Sequence, residues 1–519
     1  MRRLLAAVLA VTGLVAACDL GGAGEPANTL HVLAGSELKD LGPVLADMEK
    51  ATGWHLAMNY VGSLDGAERI ANGDTSELAW FSTGKYISLL QATSSHIVTQ
   101  DKTMLSPVSL GVKHSTALRF GWVNNPNVTW ADISKQAKGG QFKFAMTNPT
   151  ASNSGFVALV GVASAFAGNN LTSDNIDIPA LKEFFSGQAL TAGSSGFLAD
   201  SYVRAQDSLD GMINYESVLL SLDQGNTLHE KLDLVYPKDG IVTADYPLML
   251  LNSARRDVYD KILTYLRRPD VQTKIMTTTN RRPAIPYVKP DARFPSQLLI
   301  EMPFPASLDT INKLLFAYLA QVRRPDHAIF VLDTSGSMDG DRISNLKKAL
   351  LGLTGSDTTI TGQFAAFRQR EELTFILFNN TVYKQADFTI NDPDPNGPDL
   401  AAVRSFVTSL QAGGGTAIYD AVYQAYQVAA SGQRREPDRY FSIVLMTDGE
   451  NNQGRDGTQF ISDFKRLPPQ SQQIKTFPIL FGEASPSQLQ QLADLSGGKV
   501  FNGKSAPISE VFKEIRGYQ

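Results

Sequence analysis

The stretch His327-Ala328-Ile329-Phe330-Val331-Leu332-Asp333-Thr334-Ser335-Gly336-Ser337-Met338 decides how this chain is read. Its unbroken apolar run predicts a central parallel strand buried on both faces, because a strand with one wet face alternates instead. The run ends in a carboxylate. Ser335 and Ser337 follow Asp333 by two and four residues, so a turn beyond the strand end can aim one carboxylate and two hydroxyls at the same spot. Open α/β sheets bind ligands at that carboxyl edge.

Two downstream segments belong with it. Gly413-Gly414-Gly415-Thr416 leads into a helix that carries Ile418, Ala421, Val422, Ala425 and Val428 on one face. A further apolar strand, Ser442 to Met446, ends in Thr447-Asp448-Gly449-Glu450. Taken together, Asp-x-Ser-x-Ser, a threonine 83 residues later and an aspartate 32 beyond that resemble the metal-ion-dependent adhesion site of von Willebrand factor A domains, over about residues 322–519. The resemblance implies a doubly wound, Rossmann-like α/β domain with Asp333, Ser335, Ser337, Thr416 and Asp448 as ligands of one divalent cation. Hard oxygen donors select magnesium first, with manganese or calcium as alternatives. Six scattered histidines and a single cysteine leave no basis for zinc. Two carboxylates and three hydroxyls leave such an ion short of donors, and in the family a protein partner supplies the missing acidic oxygen.

Competing readings of these residues are weaker. Asp333-Thr334-Ser335-Gly336 loosely matches an aspartic-protease loop, but that fold is all-β and needs a second Asp-Thr/Ser-Gly, where this chain has Asp448-Gly449-Glu450. Asp392-Pro393-Asp394-Pro395-Asn396-Gly397 opens like an EF-hand loop, yet its twelfth position is Val403 where a bidentate glutamate is required. It reads as a solvated insertion.

Toward the N-terminus, Arg281 to Pro305 is dense in proline and breaks the strand-helix alternation. After it, Ile311, Leu314, Leu315, Tyr318, Leu319 and Val322 form a helical stripe, predicting a helix over 308–322 packed between the halves. Before it, alternating strands and helices argue for α/β layers. The segments Leu30 to Lys39, Tyr60 to Ser63, Glu77 to Thr83, Ser106 to Val112 and Tyr236 to Pro247 resemble, in order, the extracellular solute-binding proteins of bacterial importers over about residues 28–300. That resemblance implies two lobes, with Ser106–Val112 crossing outward, Tyr236–Pro247 returning, and a small polar or anionic solute between them. Ser36, Ser63 and Ser154 fall at helix starts, where free N–H groups favour an anion and where serine is also a plain cap. Gly193-Ser194-Ser195-Gly196 and Tyr215-Glu216 are further cleft candidates. Ser36-Glu37-Leu38-Lys39, Ser173-Asp174-Asn175 and Lys238-Asp239-Gly240 imitate the order of the penicillin-binding motifs, but the third is imperfect and Ser36 follows a strand.

The start of the chain reads as an export signal: Met1-Arg2-Arg3, then fourteen mostly apolar residues from Leu4 to Ala17, too few to span a bilayer. Leu14-Val15-Ala16-Ala17-Cys18 resembles a lipobox, which implies a diacylglycerol on Cys18 and an anchor on the extracytoplasmic face of the cell membrane. Asp19 would then hold it on the periplasmic side of the inner membrane where two membranes exist. Cys18 is the only cysteine, so it has no disulfide partner in this chain. Without Arg2 and Arg3 the chain carries 45 basic and 52 acidic groups, no footprint for nucleic acid.

The expected division is a leader over 1–17, a tether over 18–27, a two-lobed solute-binding-protein-like domain over 28–305, a linker helix over 306–324 and a von Willebrand factor A domain over 325–519. The expected role is a membrane-anchored, non-enzymatic binder joining a solute module to a cation-dependent protein-binding module. The alternative is an adhesion or assembly factor whose first half no longer takes a solute.

Overall fold

A computed structural model describes Pro26 and residues 28–90, 95–295, 297 and 299–519. The signal segment, Cys18 and nearly all of the tether lie outside the described residues.

Among the described residues the strands form three sheets. In the first, His55–Tyr60, Thr29–Ala34 and Leu78–Trp80 run parallel, and Pro247–Leu250 joins antiparallel between Leu78–Trp80 and Thr99–Lys102. The second is built on the long strand Met104–Lys113, which pairs antiparallel with Gly211–Tyr215 and Leu232–Val235; Phe144–Thr147 and Gln188–Ala192 extend it. The chain leaves the first sheet at Lys102 and enters the second at Met104. It comes back through Thr243–Ala244, paired on the second sheet, into Pro247–Leu250 on the first. The outward crossing therefore falls at Lys102–Met104, ahead of the expected Ser106–Val112, which lies wholly in the second sheet, whereas the return crossing falls between Ala244 and Pro247, within the expected Tyr236–Pro247.

The third sheet runs Val382–Thr389, Glu372–Phe378, Asp326–Asp333, Tyr440–Thr447, Lys475–Leu480, Phe501–Asn502, with every pairing parallel except the first. Counted within the domain this is the doubly wound order, and the order reverses between Asp326–Asp333 and Tyr440–Thr447. Ala328, Phe330 and Leu332 pack into the core on one face, Ile329 and Val331 into the core on the other. That two-sided burial is why the run shows no alternation.

The helix predicted over 308–322 appears as Leu308–Ala317, with the Ser307 hydroxyl accepting Thr310 N–H, prolonged by a wider turn over Tyr318–Val322. Ile311, Leu314, Leu315 and Tyr318 join the core of the N-terminal half. On the other side Phe316 meets Phe364 of the C-terminal domain, ring centres 5.2 Å apart.

The C-terminal domain faces the N-terminal half with the amino ends of its strands. Lys475, which begins one strand, donates to Ser201 Oγ at 3.3 Å, and Tyr440, which begins another, donates to the carbonyl of Tyr518, whose ring packs on Phe197. Asp326 shares that edge, and its strand is eight residues long. Asp333 therefore lies roughly 23 Å away at the opposite edge, at about 3.3 Å per residue.

Candidate functional site

The five residues singled out on three separate loops come together at the reversal point of the sheet. Asp333 Oδ1 accepts Ser335 N–H at 2.7 Å, and Asp333 Oδ2 accepts the Thr447 hydroxyl at 2.6 Å. Ser335 Oγ lies 3.1 Å from Ser337 Oγ, and Ser337 Oγ donates to Asp448 Oδ1 at 2.7 Å. Thr416 closes the group: a Cβ placed on Gly449 would stand 3.8 Å from Thr416 Oγ1 and 4.0 Å from Ser337 Oγ. Asp333 and Asp448 are both fully buried, at 0% exposure.

Backbone bonds hold these loops in place. Gly336 N–H donates to Gly414 O at 2.9 Å and Gly413 N–H to Thr334 O at 2.8 Å. Gly414 has φ +90°, a conformation that excludes most side chains, which explains a glycine in the tight run before Thr416. Asn452, not flagged by the motif, grips Thr416 twice: its Oδ1 accepts Thr416 N–H at 2.8 Å and its N–H donates to Thr416 O at 2.9 Å. Arg342 was also missed. Its Nη1 reaches Asp448 Oδ2 at 2.5 Å.

Two buried carboxylates on one edge are electrostatically costly. Burial pushes the Asp333 carboxyl above its usual range, and the nearby Asp448 adds to that, against hydrogen bonds from Thr447 and Ser335. A donor set of carboxylate and hydroxyl oxygens, with one part-exposed guanidinium as its cationic neighbour, fits a hard divalent ion.

Elsewhere the loop Asp392–Gly397 spends its acids on itself. Asp392 Oδ1 accepts Asp394 N–H at 3.0 Å and Asp394 Oδ1 accepts Asn396 N–H at 2.9 Å. It is an exposed connection ahead of the helix Pro398–Thr408.

A cavity of about 1140 Å³ lies where the two lobes meet the C-terminal domain. Ser36, Ser63, Gly193 and Ser194 line it. Ser63 begins the helix Ser63–Ala71, and Asn153 begins Asn153–Phe166; neither helix has a side-chain cap on its first turn. Ser154 and Tyr215 do not reach the wall. Ser154 Oγ is buried against Thr147 Oγ1 at 2.9 Å and Ser195 Oγ at 3.1 Å, while Tyr215 OH donates to Ser82 Oγ at 2.9 Å and accepts Asn153 Nδ2 at 3.1 Å. They form a layer beneath the lining, where period and spacing alone could not separate wall from support. Glu216 pairs with Arg282 at 2.6 Å, deep in the lobe. Of the three penicillin-binding look-alikes only the first contributes to this cavity, through Ser36, Glu37 and Lys39; Ser173–Asn175 and Lys238–Gly240 do not line it. The half-buried Glu37 carboxyl is pushed up by desolvation, with Ser82 and Arg281 opposing.

Comparison with known proteins gives two family matches. Residues 30–277 match the family described as bacterial extracellular solute-binding protein, and residues 328–514 match the von Willebrand factor type A domain. An uncharacterised protein of Synechocystis is 35% identical over 133 residues, covering 25% of this chain and 27% of its own. The inter-alpha-trypsin inhibitor heavy chain H4 of Homo sapiens is 28% identical over 178 residues, covering 34% of this chain and 18% of its own. The matches thus span about a quarter or less of those relatives' lengths. Among solved structures, the periplasmic binding protein AfuA of Actinobacillus pleuropneumoniae, with fructose-6-phosphate bound, aligns at 13% identity and TM-score 0.43, covering 57% of this chain and 98% of that one. The chain joins an N-terminal domain of the bacterial extracellular solute-binding protein family to a C-terminal von Willebrand factor type A domain.

Proposed function

We propose that this chain is an extracytoplasmic binding protein with two separate ligands. The C-terminal domain holds one divalent cation, magnesium or else manganese or calcium, through Asp333, Ser335, Ser337, Thr416 and Asp448. When bound, the ion supplies a Lewis-acidic position for an acidic side chain of a protein partner. The observation that carries this reading is the convergence of the five oxygen-bearing side chains at an edge turned away from the N-terminal half. A partner from outside the chain can reach that edge.

The N-terminal half holds a small polar or anionic solute in its cleft, with Ser36 and Ser63 on the wall and Ser154 and Tyr215 supporting it from behind. The size and polarity of the cavity support this over the reading in which the first half is an empty scaffold for adhesion or assembly. Cys18 anchors the chain to the bilayer at the extracytoplasmic face. Among the described residues no helix is long and apolar enough to cross a membrane.

Titration calorimetry with magnesium on the wild type and on Asp333→Ala tests the cation site: binding in the first and none in the second is expected, and equal binding in both overturns it. A pull-down with and without magnesium then identifies the partner. Thermal-shift screening of the whole chain against oxyanions, sugars and short peptides tests the cleft, since a true ligand stabilises by mass action.

A further inference from the structure

The cavity has a wall that the N-terminal half does not supply. Asn59 and Ser63 come from the first lobe, Thr150 and Ser194 from the second, and Thr361 and Lys499 from the C-terminal domain. That domain touches both lobes, and the two contacts differ in kind.

On the second lobe the contact is aromatic and close. The Tyr518 ring stands 2.3 Å from where a Cβ on Gly193 would be, so only glycine fits there. The same ring meets Phe197 edge-on at 5.1 Å, and Lys475 lies over Phe197 at 5.1 Å. The linker helix enters on this side, Tyr318 OH donating to Gln188 Oε1 at 3.3 Å.

On the first-lobe side charge and hydrogen bonds accompany an apolar contact, in which Phe364 joins the core of the N-terminal half. Glu68 accepts Ile360 N–H at 2.8 Å, Thr361 N–H at 3.1 Å and the Thr361 hydroxyl at 2.6 Å. Its carboxylate therefore sits at the amino end of helix Ile360–Ala365, where first-turn N–H groups lack partners within the helix. Beside it Arg69, paired with Asp65 at 3.0 Å, reaches Glu510 at 3.2 Å. Half-exposed polar pairs of this sort exchange with water readily, whereas a buried aromatic contact does not.

We infer that the von Willebrand factor A domain is a brace across the mouth of the cleft, hinged on the second lobe at Tyr518 and latched to the first at Glu68 and Arg69. The solute compartment is thus built from both domains, and a solute passes in or out when the latch opens. The apparent affinity for that solute is scaled by the open fraction. The traffic consequence rests on the reading of the cleft as a solute site; the brace itself rests on the contacts.

Cys18 is the sole cysteine, so in the full chain with Cys18→Ser an introduced thiol is unique. Thr150→Cys places one inside the compartment. Maleimide labelling of that thiol is expected to be slow in the otherwise unaltered chain. It is expected to accelerate at least tenfold when Glu68→Ala with Arg69→Ala removes the latch, and by less with Thr361→Val and Glu510→Ala, which leave Glu68 its bonds from the Ile360 and Thr361 backbone N–H groups. Equal labelling rates in all three proteins overturn the brace. A second measurement guards against a misfolded variant: spin labels at Asn72→Cys and Ser505→Cys should give one narrow distance, broadened and lengthened by Glu68→Ala with Arg69→Ala, and an unchanged narrow distance in that variant overturns the latch. Neither readout needs a solute. A failed solute screen would remove the receptor reading and leave these results standing.

Discussion

Arg342 Nη1 sits 2.5 Å from Asp448 Oδ2, on a carboxylate whose other oxygen accepts the Ser337 hydroxyl at 2.7 Å. Asp448 is fully buried while the Arg342 side chain is 32% exposed. The guanidinium thus balances part of the carboxylate's charge, and a divalent ion bound there, as proposed, would compete with it for one group. Arg342→Ala is expected to act in two directions. In chelator it should lower stability by about 1–2 kcal/mol, less than a fully buried pair because water reaches the arginine. In calorimetry it should raise magnesium affinity by about tenfold. A variant that loses affinity instead would give Arg342 a supporting role.

Metal removal should be visible in the melt. With magnesium at 100 times its dissociation constant, mass action adds about 2.7 kcal/mol to the C-terminal domain. For a domain of this size that raises the melting temperature by about 5–10 °C. EDTA should reverse the rise in the wild type, and Thr416→Ala should show a smaller one. Asp333→Ala should show none.

Lys475 supplies a pH test of the docked arrangement. Burial against the second lobe pushes its ammonium down to about 8 from the usual 10.5, with Arg204 adding to the shift. Below about 8 the lysine is charged in both the docked and the unfolded chain, so the full desolvation penalty is present. Between about 8 and 10.5 the unfolded chain binds more protons than the folded one, so stability should rise with pH across that window. Urea midpoints of wild type and Lys475→Met, compared from pH 7 to 10.5, check this: the difference between them should shrink as the wild type gains.

Asp326 gives the opposite sign. It is fully buried with Arg516 at 3.5 Å, and burial together with Glu371 pushes it up to about 7 from 3.8. A raised carboxyl binds its proton more tightly in the folded state, so its contribution to stability is lost as pH climbs from 3.8 to about 7. His327, pushed down to about 4 by burial, slopes the other way over much of the same range and masks the effect in the wild type. Asp326→Asn isolates it, because His327 is common to both proteins. The variant should gain on the wild type steadily between pH 4 and 7 in chemical denaturation.

Much of the C-terminal domain was legible in the residues because its information is local. An apolar run ending in Asp333 implies a central strand, and the central strand implies a ligand edge. The five oxygen-bearing residues could be picked through the resemblance to the von Willebrand factor A motif, and the helix expected after Thr416 appears as Ile418–Arg435. The N-terminal half was less legible. Its return crossing could be placed within Tyr236–Pro247, but the outward one comes just before Ser106–Val112, and Ser154 and Tyr215 lie a layer behind the cleft wall, because a helix start reveals a free amide without revealing whether solvent reaches it.

What the sequence determined by itself was therefore the class of each half, the strand that ends at Asp333 and the chemistry of the donors gathered there. Only the tertiary structure decided that Arg342 opposes Asp448, that Asn452 holds Thr416, and that Tyr518 lies against Gly193 more than 300 residues away. Periodicity and motif spacing report neighbours along a chain or around one element. Contacts between remote surfaces depend on how whole layers stack, and that is set by the summed burial of both domains, which no local pattern encodes.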